Sequence, residues 1–175
     1  MQSYPFIIKL IHWLTLLLIL GSLSSSFVMY KIDGTIDDTI INAHAINGSI
    51  ILTLTLIRLI YRAKYGVPQA SGQNKFQTTM AMIVHRSFYI VILLIVSFGL
   101  ISFVTRKLLI MHYNIKELVI GALKINLYNV VEISSLLHSF FISIFLILLA
   151  LHILGFIYHQ FIIRKNIIRK MWFSN

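Results

Sequence analysis

The chain has 175 residues, of which 58% are hydrophobic and only 11% charged. Soluble domains carry about 25% charged residues, so the composition excludes a disordered chain and an ordinary water-soluble globule. The net charge is +10, from 15 Lys and Arg against 5 Asp and Glu, and there is no cysteine. Disulfides, thiolate zinc sites, iron–sulfur clusters and thioether-linked haem are therefore excluded.

Taken from the N-terminus, the first uncharged stretch runs over residues 10–30, just past Lys9. A secretory signal has an apolar core of only about 7–15 residues, so a retained span over 8–30 is expected, in spite of the small-residue cluster Ser24-Ser25-Ser26. Residues 39–57, 87–105 and 133–163 are also free of charge. A bilayer core of about 30 Å takes about 20 residues of helix. The expected spans are 8–30, 39–62, 79–105 and 133–162. Backbone groups in lipid must be satisfied within the segment, so each span should be helical. The expected fold is all-α, an integral membrane four-helix bundle forming one domain over 1–175.

Between spans two and three, residues 63–78 hold the breakers Gly66, Pro68 and Gly72. Residues 106–132 make a longer connection. Asn114 with Glu117 three residues on reads as a helix cap. A short surface helix over 117–127 is expected there.

Lys and Arg placement sets the orientation. Lys9, Arg58, Arg62, Lys64, Lys75, Arg86, Arg164, Lys165, Arg169 and Lys170 fall on one side, with no acid. The other side carries Lys31, Arg106, Lys107, Lys116 and Lys124 against Asp33, Asp37, Asp38, Glu117 and Glu132. The positive side should be the cytoplasm, with both termini on it. This one-sidedness beside lipid-length spans explains the basic balance without nucleic acid as a partner.

Four of the seven histidines lie within the spans: His12, His44, His138 and His152. An ionisable residue inside a membrane marks a functional site by default, although one such histidine alone also serves as polar glue between helices. His44 follows Asp38 by six residues, and His138 follows Glu132 by six, so both sit about 9 Å in from the outer side. His152 is 14 residues beyond His138, about 21 Å deeper and within about 40° of the same helix face. His12, three residues past Lys9, is also near the cytoplasmic side. Two layers result, each drawing on two helices, as in bundles that build cofactor sites from facing helices.

A zinc site wants four ligands, or three and water. Haem iron needs only two axial ligands and an apolar slot, and without cysteine the haem would be non-covalent, of b type. Gly48, one turn after His44, would help admit a macrocycle. Arg58 and Arg62 are candidates to hold the carboxylates of a haem on the inner side, and Lys31, Arg106 and Lys107 of one on the outer side.

This pattern resembles the bacterial cytochrome b561 family over nearly the whole chain. The matching features are His12-Trp13, His44 with Gly48 and the Arg58/Arg62 pair, then His138, His152 and His159 before a basic tail. The resemblance implies two non-covalent b haems, with His12 and His152 ligating the inner iron and His44 and His138 the outer. It implies a multi-pass protein of the bacterial inner membrane, in contact with lipid. It also implies electron transfer between a small outer donor and membrane ubiquinone. The superoxide oxidase type is the most similar, which makes superoxide the expected donor and the chain an oxidoreductase. His85 and His159, near the inner end, would relay protons to the quinone. The alternative is a cytochrome anchor subunit conducting electrons for a larger dehydrogenase or hydrogenase, with a protein partner. A haem-free transporter or scaffold ranks lower, because no broken-helix repeat is visible.

Overall fold

The structure, a computed structural model, describes residues 4–31, 38–66, 75–111, 117–120, 123–164, 168 and 172–173. Four long helices make up the body: α1 (Phe6–Lys31), α2 (Asp38–Tyr65), α3 (Lys75–Met111) and α4 (Leu127–Ile157). All four are long and apolar enough to cross a membrane, so the expected four-span helical architecture stands. The helices extend beyond the expected spans, α3 most of all.

Local chemistry sets the helix ends. Pro5 offers its carbonyl to the N–H groups of Ile8 and Lys9 at the start of α1, a position where a missing proline N–H costs nothing. Asp38 opens α2, and Arg62 and Lys64 occupy its last turn, the charge order that the helix dipole favours. Gly66 ends α2 at φ 71°, and its N–H donates to the Arg62 carbonyl at 3.0 Å. This is a left-handed cap that a residue without a Cβ adopts freely.

The connection between α3 and α4 corrects the sequence expectation. In place of a surface helix over 117–127, β1 (Glu117–Ile120) pairs antiparallel with β2 (Leu123–Asn126), with Ile120 opposite Leu123. The residue types explain the difference. Val119, Ile120 and Ile125 are β-branched and favour a strand. The cap of α4 is Asn126, whose Oδ1 accepts from the Tyr128 N–H at 2.9 Å and the Asn129 N–H at 3.4 Å. Asn114, expected as a cap, lies outside the described residues, as does His112.

Cross-helix contacts define an up-and-down bundle. The start of α1 meets the end of α2 where Arg58 reaches His12. The far end of α1 meets the start of α2 where Ser25 reaches His44. Lys107, near the end of α3, pairs with Asp38 at 3.0 Å. His85, near the start of α3, contacts His152, near the end of α4. Lys9, Arg58, Arg62 and Arg86 thus share one end, here the basic end; the opposite end carries the hairpin.

Few side chains are deeply buried. Ile8, Ile11, Ile51, Val91, Val96, Leu127 and Phe145 form the core, whereas Leu17, Ile60, Ile90, Phe140, Ile147 and many other large apolar side chains face outward. In lipid such exposure costs nothing, and association rests on packing and interhelical hydrogen bonds. Asn47 on α2 supplies one, donating to the Leu18 carbonyl and to Ser22 Oγ of α1, each at 2.8 Å.

At the basic end the chain returns on itself. Lys9 is only 7% exposed, and its Nζ donates to the Trp172 carbonyl at 2.9 Å. The Trp172 ring meets Trp13 edge-on at 5.9 Å, and Phe173 meets Phe6 at 5.4 Å. Past α4, Tyr158–Ile162 form a π-helical segment, a form that often marks functional positions.

Candidate functional site

A cavity of about 310 Å³ opens inside the bundle towards the hairpin end. All four helices contribute to its wall, with His44, Gly48, Gly99 and His138 among the lining residues and Ile51, Val96 and Phe145 supplying apolar surface. It is mostly apolar with a few convergent polar groups, the usual character of a small-molecule or cofactor site.

His44 of α2 and His138 of α4 face this cavity together, their ring centroids 6.3 Å apart. Metal–imidazole bonds are about 2 Å long, so two imidazoles on opposite sides of one ion have centroids roughly 6 Å apart. Each ring is oriented through Nδ1. His138 Nδ1 lies 2.7 Å from the Ile95 carbonyl, which can only accept, so the proton is on Nδ1. Ser25 Oγ donates to the Ser22 carbonyl at 2.9 Å and so accepts from His44 Nδ1, also at 2.9 Å. With Nδ1 of each ring held in this way, Nε2 is the nitrogen left for a metal, the arrangement found where a second partner fixes a metal-binding histidine. Gly99 admits the His138 ring, since a Cβ there would stand 2.9 Å from its Cε1 and Nδ1 atoms. At Gly48 a Cβ would meet Val96 at an ordinary 3.9 Å, so that glycine serves the cavity wall rather than a forced approach.

The layer towards the basic end is arranged differently. Arg58 Nη1 donates to His12 Nδ1 at 3.1 Å, which leaves a neutral His12 with its proton on Nε2. His85 Nδ1 donates to the Ala81 carbonyl at 2.6 Å, so its Nε2 is free. The His85 ring stands 5.2 Å from His152 and Phe88 stands 5.6 Å from it. His12 lies within electrostatic reach of both His152 and His85. The structure thus gathers His12, His85 and His152, with His85 rather than His12 in ring contact with His152. Arg62 lies over the Tyr89 ring at 5.9 Å. Tyr4 sits close to both guanidiniums; burial raises its phenol above the ordinary 10.0, while Arg62 and Arg58 pull the other way.

His159 falls in the π-helical segment, and its Nδ1 is buried without a hydrogen-bond partner. Buried polar atoms are almost always paired, and this one has no partner among the described residues. Of the outer cations, Arg106 lines the cavity, whereas Lys107 is committed to Asp38. The side chains of Lys31, Lys116 and Lys124 lie outside the described set. Sequence reasoning did not single out Ser25, which the structure sets against His44, or Ser102 and Ser135, which line the cavity; their only sequence signal is polarity within a lipid-length span.

Among the described residues no cluster of three or more His, Cys, Asp or Glu side chains could hold a metal ion. Paired imidazoles on an apolar slot fit an iron that brings its own equatorial ligands, as haem does. Fold and site together define a four-helix membrane protein built to carry a redox cofactor between its helices. The family model of prokaryotic cytochrome b561 matches residues 3–174, and the chain belongs to that family. It is therefore a multi-pass membrane b-type cytochrome, a haem protein of electron transfer. No curated protein matches the sequence significantly.

Proposed function

We propose that this chain is a dihaem oxidoreductase of the bacterial inner membrane that passes electrons from superoxide to ubiquinone. The observation that carries this reading is the His44–His138 pair, 6.3 Å between ring centroids on an apolar cavity, with Nδ1 of each ring held by a neighbouring oxygen. His44 and His138 would hold one haem, and His152 with His12, once His12 gives up its bond to Arg58, a second nearer the basic end. When bound, haem supplies the one-electron exchange of iron that no side chain here provides. The basic end faces the cytoplasm, in keeping with the positive-inside rule.

The chain's own residues do the rest. Ser25 and the Ile95 carbonyl fix the tautomers of the cavity pair. Arg58 and Arg62 neutralise anionic groups at the basic end, where no described carboxylate is paired with them. His159, with its unpartnered Nδ1, meets a carbonyl oxygen of ubiquinone, and His85 relays protons to it. In the balanced reaction two superoxide anions each lose one electron and leave as dioxygen. One ubiquinone gains two electrons and two protons.

The test is a dithionite-reduced minus oxidised spectrum of the detergent-purified chain, with haem quantitation. Two low-spin b haems per chain are expected, followed by superoxide-driven ubiquinone reduction. A colourless protein from haem-replete cells overturns the reading. Two haems without superoxide activity, in a chain that co-purifies with a soluble dehydrogenase or hydrogenase subunit, would make it an anchor subunit.

A further inference from the structure

Hydroxyl groups inside these helices follow a pattern. Thr15, Ser24, Ser26, Ser49, Thr55 and Ser134 each turn back onto the carbonyl four residues earlier, the common way to satisfy a hydroxyl in lipid. Ser102 of α3 and Ser135 of α4 do not. Their Oγ atoms lie 2.7 Å apart across the two helices. One O–H is used in that bond. The other has no acceptor among the described residues, and both serines line the cavity.

The pair stands one turn towards the hairpin end from the imidazole site. Ser102 is three residues past Gly99, and Ser135 is three before His138, each about 4.5 Å along its helix. Arg106 is one further turn along α3 and lines the same cavity. Helical side chains lean towards the helix N-terminus, which for Arg106 is towards the serines. It makes no ion pair among the described residues, whereas its neighbour Lys107 is bound to Asp38.

We infer that Arg106 and the Ser102–Ser135 hydroxyl pair form an anion subsite at the hairpin end of the cavity, built for a carboxylate or another small oxyanion. A guanidinium and a spare hydroxyl donor beside one cavity match the donor needs of such a group. The inference rests on the haem reading for one source of that anion, the carboxylates of the bound haem. The other source is a free oxyanion arriving at the cavity mouth.

Two measurements on the full-length, haem-loaded protein separate them. The first is haem transfer to excess apomyoglobin, followed by loss of one of the two bis-histidine EPR signals. A hydrogen bond to a charged group is worth about 1.5–3 kcal/mol. If haem carboxylates occupy the subsite, Arg106→Gln should release the cavity haem about tenfold faster or more. Ser102→Ala with Ser135→Ala should release it several-fold faster, and Lys107→Gln should not change the rate. The second measurement is the unfolding temperature with and without formate. If a free oxyanion occupies the subsite, formate should raise it in the wild type and not in Arg106→Gln, with haem release unaltered. Unchanged haem release together with no Arg106-dependent formate effect overturns the subsite. A wild type lacking the cavity haem overturns the haem reading instead, and the formate measurement then decides the subsite alone.

Discussion

Gly99 and His138 stand so close that a methyl group on Gly99 would lie 2.9 Å from two atoms of the imidazole. Neither α3 nor the His138 ring has slack here, because His138 is also tied to the Ile95 carbonyl one turn earlier on the same helix. Gly99→Ala must push the ring out of position or part the helices, and such overpacking costs about 1–3 kcal/mol. The expected outcome is a chain that keeps the haem nearer the basic end and binds the cavity haem roughly ten- to a hundredfold more weakly. Haem quantitation during purification measures this.

Ser25 touches the site only through His44. Ser25→Ala removes the acceptor that holds the His44 proton on Nδ1, and losses of this kind cost about 10–100-fold in metal affinity. Ser25→Thr, which keeps the hydroxyl, should restore binding. A merely structural role would show the same stability change in both variants and no difference in the EPR g-values of the cavity haem.

The two histidines near His152 differ in tautomer, and mutation should separate their roles. His12→Ala should lose the haem nearer the basic end, whereas His85→Ala should keep two haems and reduce ubiquinone more slowly. Haem content is the decisive measurement. Two haems in His12→Ala and one in His85→Ala would transfer the ligand role to His85, whose ring already contacts His152.

Steering of superoxide by cations at the hairpin end would depend on salt. Superoxide is an anion, and attraction between exposed charges weakens as the screening length falls from about 10 Å at 0.1 M salt to about 3 Å at 1 M. Superoxide consumption should therefore decline as salt rises. Lys107 is neutralised by Asp38, so Lys107→Gln should change the rate less than twofold, and Arg106→Gln should lower it more. Stopped-flow superoxide decay at two ionic strengths checks both. An exposed pair such as Lys107–Asp38 is also worth at most about 1 kcal/mol, so Asp38→Asn should lower stability little.

Much of the architecture is legible in the sequence. Charge-free runs of lipid length gave the four helices. The equal six-residue offsets of His44 from Asp38 and of His138 from Glu132 placed both at one depth, and these two rings meet. What depends on how helices turn against one another was not legible. Ser25 lies 19 residues from His44, and only the crossing of α1 and α2 joins them. His85 read as an end-of-helix histidine, and the rotation of α3 decides that it reaches His152. The hairpin was missed because a short mixed segment such as 117–127 carries no decisive period, and its β-branched residues outweighed the helical reading.

The Lys9–Trp172 contact sets an order of assembly. Its partners are 163 residues apart in sequence, and chains are made at about 5–20 residues per second. For roughly ten to thirty seconds after Lys9 emerges, its acceptor does not yet exist. Throughout that interval α1 must rest in the bilayer with its ammonium at the water boundary. Among the described residues, none beyond α4 lines the cavity at the hairpin end. The basic end cannot close on itself until Trp172 arrives.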